Sequence, residues 1–170
     1  LLLMFLVFEL VIGLQFLLKL SILPTSRLPL WYAAISMFLE HPLLGNGPFT
    51  FAEYYQNFIR IASLPDWITV DDRRIPWPHN LYLEILSGSG IICFAVFVGL
   101  LAVSLRKLLV RNQDPLLEQT RLTLLSAILG MMLAGAVELT FLRIWVLLLF
   151  FSLTAYTAIY PVSILGKLDE

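Results

Sequence analysis

Residues 77–80, WPHN, run directly into residues 81–105, LYLEILSGSGIICFAVFVGLLAVSL, and this stretch decides the class of protein. The second part carries Glu84 as its single charged residue. About 20 predominantly apolar residues are needed for a helix to cross a bilayer. Residues 81–105 are therefore predicted to be a transmembrane helix, with His79 and Asn80 at the membrane surface where it begins.

The composition of the whole chain agrees with a membrane protein. Hydrophobic residues make up 59% of the 170 residues and charged residues 14%, and the mean hydropathy is +0.88, which is too apolar for an average soluble domain. The net charge of -1 gives no basis for the phosphate contacts of nucleic-acid binding, so no nucleic acid partner is expected. Cys93 is the single cysteine; it is expected to be a small buried hydrophobe rather than a reactive thiol.

Four stretches are predicted to span the membrane: residues 1–20, 81–105, 122–140 and 144–160. The short connection at residues 106–121 is rich in Lys and Arg, which places it in the cytoplasm. Residues 21–80 then form a long loop outside the membrane. The chain begins LLLMFLVFEL, without an initiator methionine, so we expect an all-α integral membrane fragment of a larger multi-span protein.

The long loop contains a predicted amphipathic helix that lies along the membrane surface. Ser26 is a plausible N-cap, and Pro42 ends the helix because the residue before a proline avoids helical geometry. Gly45 and Gly47, in HPLLGNGPF, permit a tight turn. The predicted apolar stripe consists of Leu28, Trp31, Ile35, Phe38 and Leu39.

Three segments in this order, RLPLWYAAISMF, EHPLLGNGPFTF and HNLYLEILSGSG, resemble the O-antigen ligase and polymerase superfamily of the bacterial envelope. The resemblance extends over residues 27–160, as the C-terminal portion of such a protein. It rests on an arginine at the head of the amphipathic helix, on the glycine turn, and on the spacing of His79 and Asn80 to Gly90.

The resemblance implies transfer of a glycan from undecaprenyl diphosphate to an acceptor hydroxyl, on lipid A core or on another glycan. It places the enzyme in the bacterial inner membrane with its active face in the periplasm, and it requires no cofactor. Arg27 matches the family's periplasmic arginine and His79 its loop histidine; a further arginine of the family lies upstream. Ligases, polymerases and protein-glycosylating relatives share these elements, so donor and acceptor stay undetermined.

His79 has a physical basis for such a role. The unpaired N–H groups and the positive dipole end of the following helix favour a bound anion and disfavour imidazolium. A neutral imidazole suits a general base on an acceptor hydroxyl. The alternative is an interfacial histidine that merely caps the helix. Asn80 either orients His79 or caps the span.

Three arginines are candidate ligands of the diphosphate. Arg27 can bind it through bidentate, charge-assisted contacts, although lipid phosphates can occupy the same position. Arg73 and Arg74 precede His79 and add positive potential, unless the adjacent Asp71 and Asp72 neutralise them. Two neighbouring carboxylates without further oxygen ligands do not predict a metal site.

Other polar residues carry weaker predictions. Glu138 and Arg143 flank the turn between the last two spans, either as an interfacial pair or as groups that face the substrate. Glu9 and Gln15 lie inside the first predicted span and are expected to face the bundle interior. His41 is expected to be a turn residue. The motif SGSG, residues 87–90, is expected to permit close helix approach.

Two rival functions remain. A transporter or channel fragment for a small anion would use Glu9, Arg27 and Glu138, and it predicts spans interrupted by Gly or Pro near the midplane; here the glycines gather at the outer end of one span. A scaffold that recruits envelope enzymes predicts freely exchangeable loop residues.

Overall fold

The structure, a computed structural model, describes residues 27–65, 68–136, 138 and 140–161. These residues form helices and no strand, which confirms the all-α prediction for this part of the chain. The predicted span at residues 1–20, with Glu9 and Gln15, lies outside the described residues, as does Ser26. In chain order the helices are α1 (Leu28–Glu40), α2 (Phe51–Ile61), α3 (Leu81–Leu108), α4 (Pro115–Gly135) and α5 (Ile144–Ile159).

The bundle of α3, α4 and α5 corresponds to the last three predicted spans. In the part of the chain that the structure describes, α3 and α4 are long and apolar enough to cross a membrane, and α5 is shorter. α4 begins earlier than predicted because the Asp114 side chain accepts hydrogen bonds from backbone N–H groups of its first turn. Only residues 109–114 of the predicted connection are therefore non-helical.

The core of the bundle contains side chains from all three helices. A group of aromatic rings, Phe97, Phe141 and Phe150, packs with centroids 5.2 to 5.7 Å apart. The buried core residues are Leu81, Ile85, Phe97, Leu101, Leu108, Leu124, Ile128, Met131, Val146, Phe150 and Tyr160.

Many large apolar side chains on the outer faces are exposed, as expected for surfaces against lipid or further spans. Cys93 is exposed as well, so the prediction that it is buried is wrong within the described chain.

A second core forms between α1, α2 and α3. α1 was predicted, but not the orientation of its packing face: its buried residues are Pro29, Leu30, Ala33, Ala34 and Met37, whereas Ile35 and Leu39 of the predicted stripe are exposed. Small alanines let α1 approach its neighbours closely, which explains why this face packs inward. α1 has Arg27 as its N-cap residue. α2 was not predicted; it packs against α1 through Phe51 and Tyr55.

α3 is interrupted at Gly90, whose backbone leaves the helical region with φ 74° and ψ -178°. The segment from Pro42 to Gly47 fills the break. Gly47 N–H donates to Gly88 O at 2.8 Å, and Ile91 N–H donates to Pro42 O at 2.8 Å. The sequence predicted a single transmembrane helix over residues 81–105 and did not predict this break. The loop satisfies backbone groups that the break would expose.

The close approach explains two of the glycines. A Cβ atom on Gly90 would lie 2.3 Å from Leu43 O, and one on Gly45 would lie 2.4 Å from Ser89 N. Both residues also have positive φ angles, which other residues rarely adopt. The SGSG motif therefore admits a loop backbone, where the sequence predicted another helix. This contact ties the loop after α1 to the first half of α3.

Candidate functional site

His79 lies immediately before α3, in a backbone conformation that fixes its direction. Its φ of 53° is uncommon for a residue other than glycine, although histidine tolerates it better than most. Asn80, the N-cap of α3, accepts a hydrogen bond from Leu83 N–H at 3.0 Å and donates from Nδ2 to Ala136 O at 3.0 Å. Asn80 thus caps the helix, as one of its two predicted roles required, and also joins it to the end of α4.

Glu138 brings the two principal candidates together. Its carboxylate oxygens lie 3.1 and 3.2 Å from Nδ1 of His79, and Arg27 Nη2 donates to Oε2 at 3.3 Å. The side chains of Arg27, His79 and Glu138 are 29%, 26% and 45% exposed, so the cluster is accessible but partly desolvated. Arg27 and His79, which are 52 positions apart in sequence, therefore share one carboxylate.

The sequence left open whether Glu138 pairs with Arg143 or faces the site. In the structure each has a different partner at the site: Glu138 contacts Arg27 and His79, and the Arg143 guanidinium lies over the Trp77 ring, 5.1 Å from its centroid. Trp77 in turn packs edge-on against the His79 ring, with centroids 5.8 Å apart. Both residues consequently belong to the surroundings of His79.

The turn that carries Glu138 is held by side chains from the start of α3. Asn80 binds Ala136 O, on one side of Glu138, and Glu84 accepts a hydrogen bond from Phe141 N–H at 3.0 Å, on the other. Tyr82 adds a bond to Met132 O at 2.6 Å, within the last turn of α4. Ala136 and Phe141, on either side of Glu138, are therefore both bonded to the end of α3 that follows His79.

A cavity of about 410 Å³ adjoins this cluster and contains the predicted cationic residues. It is lined by Arg27, Leu30, Asp71, Arg73, Arg74, Ile75, Pro76, Trp77 and His79. The structure thus brings four of the five predicted site residues to one cavity. The fifth, Asn80, does not line the cavity but caps the adjacent N-terminus of α3. Positive charge outweighs negative charge in the lining, which favours an anionic ligand.

The two loop arginines differ in their availability. Arg73 is paired with Asp71: Nη2 lies 2.6 Å from Oδ2 and Nε lies 2.9 Å from Oδ1. This hydrogen bonding to Arg73 lowers the pKa of Asp71 to about 2. Arg74 makes no ion pair with any described residue and lines the cavity. Of the two alternatives that the sequence left open, pairing with an adjacent aspartate is observed for Arg73, and no such pair is observed for Arg74 among the described residues.

A second cavity, of about 460 Å³, runs along α3 beside the break at Gly90. Its lining is largely apolar and includes Phe49, Phe97 and Phe151, with Glu84 as its carboxylate. Pro76 lines both cavities, so the two are adjacent. His41 lies apart from both, exposed in the turn after α1, as predicted.

Sequence reasoning assigned no role to Trp77, although it belongs to the WPHN motif. For Glu138 it left two roles open, an interfacial pair with Arg143 or a group that faces the substrate. What was missing was the pairing of Glu138 with residues 59 and 111 positions away. Among the described residues no group of three or more His, Cys, Asp and Glu side chains forms a candidate metal site.

The protein is helical, with helices long and apolar enough to cross a membrane. It has a cationic cavity that includes His79, where the loop before α3 meets the start of that helix. The sequence model of the O-antigen ligase family matches residues 2–98, more than half of the chain. The chain therefore belongs to the O-antigen ligase family. The matched segment contains Arg27 and His79 and ends before α4. No curated protein and no solved structure matches the chain.

Membership of this family indicates an activity of the O-antigen ligase or polymerase type, with a lipid-linked glycan and an acceptor such as lipid A core as the general partners. The family also consists of membrane proteins, in agreement with the apolar helices α3 and α4.

Proposed function

We propose that this protein transfers a glycan from undecaprenyl diphosphate to an acceptor hydroxyl on lipid A core or on another glycan, in lipopolysaccharide or surface polysaccharide biosynthesis. The reaction takes place at the periplasmic face of the bacterial inner membrane. The observation that carries this proposal is the His79 imidazole, held through Nδ1 by Glu138 beside an arginine-lined cavity, in a member of the O-antigen ligase family.

The diphosphate of the donor binds in the arginine cavity. Arg27 provides a planar, permanently charged fork for two phosphate oxygens, and Arg74 adds a cation without a competing carboxylate among the described residues. Arg73, which is paired with Asp71, contributes less. The nearby N-terminus of α3 adds positive potential, and Asn80 holds that terminus in place.

His79 acts as the general base. A carboxylate beside Nδ1 favours the tautomer with its proton on that atom, because Nδ1–H can then donate to Glu138. Nε2 is left with a lone pair, and it makes no hydrogen bond with the described residues. Because His79 lines the cavity, an acceptor hydroxyl in the cavity can approach Nε2.

The transfer then proceeds by direct displacement. Nε2 takes the proton of the acceptor hydroxyl while the hydroxyl oxygen forms a bond to the anomeric carbon. The bond between that carbon and the diphosphate oxygen breaks, and its electron pair leaves with undecaprenyl diphosphate. The anomeric configuration is inverted. Arg27 and Arg74 stabilise the charge on the leaving diphosphate, so the proposed mechanism is independent of metal ions.

The Glu138 carboxylate, 3.1 Å from Nδ1, stabilises the positive charge that develops when Nε2 accepts a proton. Stabilisation of the developing imidazolium suits a general base.

The proposal is tested in cells that lack the full-length protein and are complemented with wild type, His79→Ala or Arg27→Ala at matched membrane abundance. Both variants are expected to accumulate undecaprenyl-linked glycan and to lose the product. The size distribution of the envelope glycans then separates capped lipid A core from lengthened polymer.

Two matched controls are available in the chain. His41→Ala removes the exposed turn histidine, and Arg60→Ala removes an arginine of α2 that does not line the cavity; both are expected to complement fully. Unchanged glycans in His79→Ala cells would refute the proposed transfer and favour a transporter.

A further inference from the structure

We propose that Glu138 is a positioning residue shared between Arg27 and His79, and that a diphosphate bound to Arg27 releases the carboxylate to His79 alone. His79 then has the Glu138 carboxylate as its own hydrogen-bond acceptor only when the donor diphosphate is bound. This inference rests on the proposed function and adds to it a coupling between donor binding and base activation.

The distances show a shared carboxylate. Oε2 of Glu138 lies 3.3 Å from Arg27 Nη2 and 3.1 Å from His79 Nδ1, so one oxygen serves both partners. Charge-assisted hydrogen bonds of this type are normally about 2.7–2.9 Å long. Both contacts are longer than that range, which indicates that neither partner holds the carboxylate in its best geometry.

Described residues on both sides of Glu138 are bonded to the start of α3. Asn80 donates to Ala136 O and Glu84 accepts from Phe141 N–H, and both Asn80 and Glu84 follow His79 closely in the chain. Glu138 and His79 are therefore both tied to the N-terminal end of one helix. Arg27, by contrast, comes from a different element, the N-terminus of α1, and its long side chain can turn toward a ligand in the cavity.

The surrounding charges favour replacement of the Glu138 carboxylate at Arg27 by a diphosphate. Besides Glu138, the charged groups near His79 are Arg27 from α1, Asp71, Arg73 and Arg74 from the loop, and Arg143 at the start of α5. Asp71 is occupied by Arg73. A diphosphate carries more negative charge than one carboxylate and offers oxygens for bidentate contact, so it displaces Glu138 from Arg27. The carboxylate then stays with His79.

The test measures binding and turnover separately in the full-length protein in lipid nanodiscs. In Glu138→Gln the kcat is expected to fall by about 10- to 100-fold, because the developing imidazolium loses its carboxylate. Binding of inorganic pyrophosphate, measured by calorimetry, is expected to tighten by about two- to fivefold, because Arg27 loses its competitor. General structural damage would weaken both.

Three further variants sharpen the test. Glu138→Asp keeps the charge but shortens the side chain, so kcat should fall while pyrophosphate affinity stays nearer to wild type. In Arg27→Ala, adding Glu138→Gln should no longer tighten pyrophosphate binding. Glu118→Gln, the matched control, removes a carboxylate between two arginines at the other end of α4 and should leave kcat and pyrophosphate affinity unchanged.

Unchanged or weaker pyrophosphate binding in Glu138→Gln overturns the inference, as does a kcat equal to that of wild type. The outcome is distinguishable from failure of the proposed function. If His79→Ala is inactive while Glu138→Gln is fully active, only the shared-carboxylate inference fails. If His79→Ala is itself active, the proposed function fails.

Discussion

At each end of α4 a glutamate lies between two basic side chains, and the two clusters differ in how closely their members are bonded. After the C-terminal end, Glu138 lies between Arg27 and His79 at 3.1 to 3.3 Å. In the first turn, Glu118 lies 2.7 Å from Arg121 and 3.7 Å from Arg111. The first cluster adjoins a cavity, whereas the second adjoins neither of the two cavities described above.

Within the Glu118 cluster, Glu118 and Arg121 are bonded closely to protein groups, whereas the Arg111 side chain is 86% exposed. Arg121 donates to both carboxylate oxygens at 2.7 Å and to Leu108 O at 2.6 Å, and Asn112 N–H donates to Glu118 at 2.9 Å. The Arg121 side chain is only 8% exposed, compared with 29% for Arg27. These contacts join the end of α3 to the start of α4.

Residue types alone therefore do not distinguish an ion-pair cluster that joins helices from a candidate ligand-binding cluster. The enclosed Glu118–Arg121 pair stabilises one arrangement of helices. The Glu138 cluster has longer contacts and partial exposure beside a cavity, as the proposed exchange of a protein partner for a ligand requires.

The largest effect is expected from His79→Ala. Loss of the general base should lower the turnover of purified protein by about 10²–10⁴-fold. The melting temperature should change little, because His79 is partly exposed and Asn80, rather than His79, caps α3. A large drop in melting temperature would instead assign His79 a structural role like that of Arg121.

The second-largest effect, a loss of stability, is expected from Gly90→Ala at the break in α3. The new Cβ would lie 2.3 Å from Leu43 O at a positive φ angle, which should destabilise the protein by more than about 2 kcal/mol. Thermal unfolding in detergent measures this change. Gly99→Ala is the control, since a Cβ there meets no atom within 4 Å; equal stability of the two variants would contradict the tight loop contact.

Glu118→Gln should lower the melting temperature without lowering kcat per folded molecule. The reason is that Arg121, which is largely enclosed, loses its charged partner while the His79 cluster stays intact. Thermal unfolding and turnover of the same preparation provide the measurement. A selective loss of kcat would show that the two ends of α4 are not independent.

The smallest effect is expected at the Asp71–Arg73 pair. The folded pKa of Asp71, about 2, lies below its ordinary value of 3.8. The pair therefore stabilises the folded state above about pH 4, and this contribution is lost as the pH falls toward about 2. In Asp71→Asn the melting temperature should depend less on pH across this range. An unchanged pH dependence would contradict the pairing; the effect is small because Arg73 is exposed.

The sequence predicted part of the candidate site, and the limits have physical causes. Arg27, His79, Arg73 and Arg74 line one cavity, while the roles assigned to them stay predictions. The packing face of α1 was predicted wrongly because both of its faces are apolar, and alanines pack more closely than the bulky stripe. The break at Gly90 escaped notice because glycine permits several backbone conformations.

The sequence by itself determined the class of protein, since apolar length and scarcity of charge dictate membrane helices, and its motifs determined the family. Only the tertiary structure decided which carboxylate serves the histidine. Glu138 reaches His79 because α3 and α4 pack side by side and the first turn of α3 binds the turn after α4. Such contacts depend on helix packing across 59 positions of sequence, which local periodicity and residue spacing do not encode.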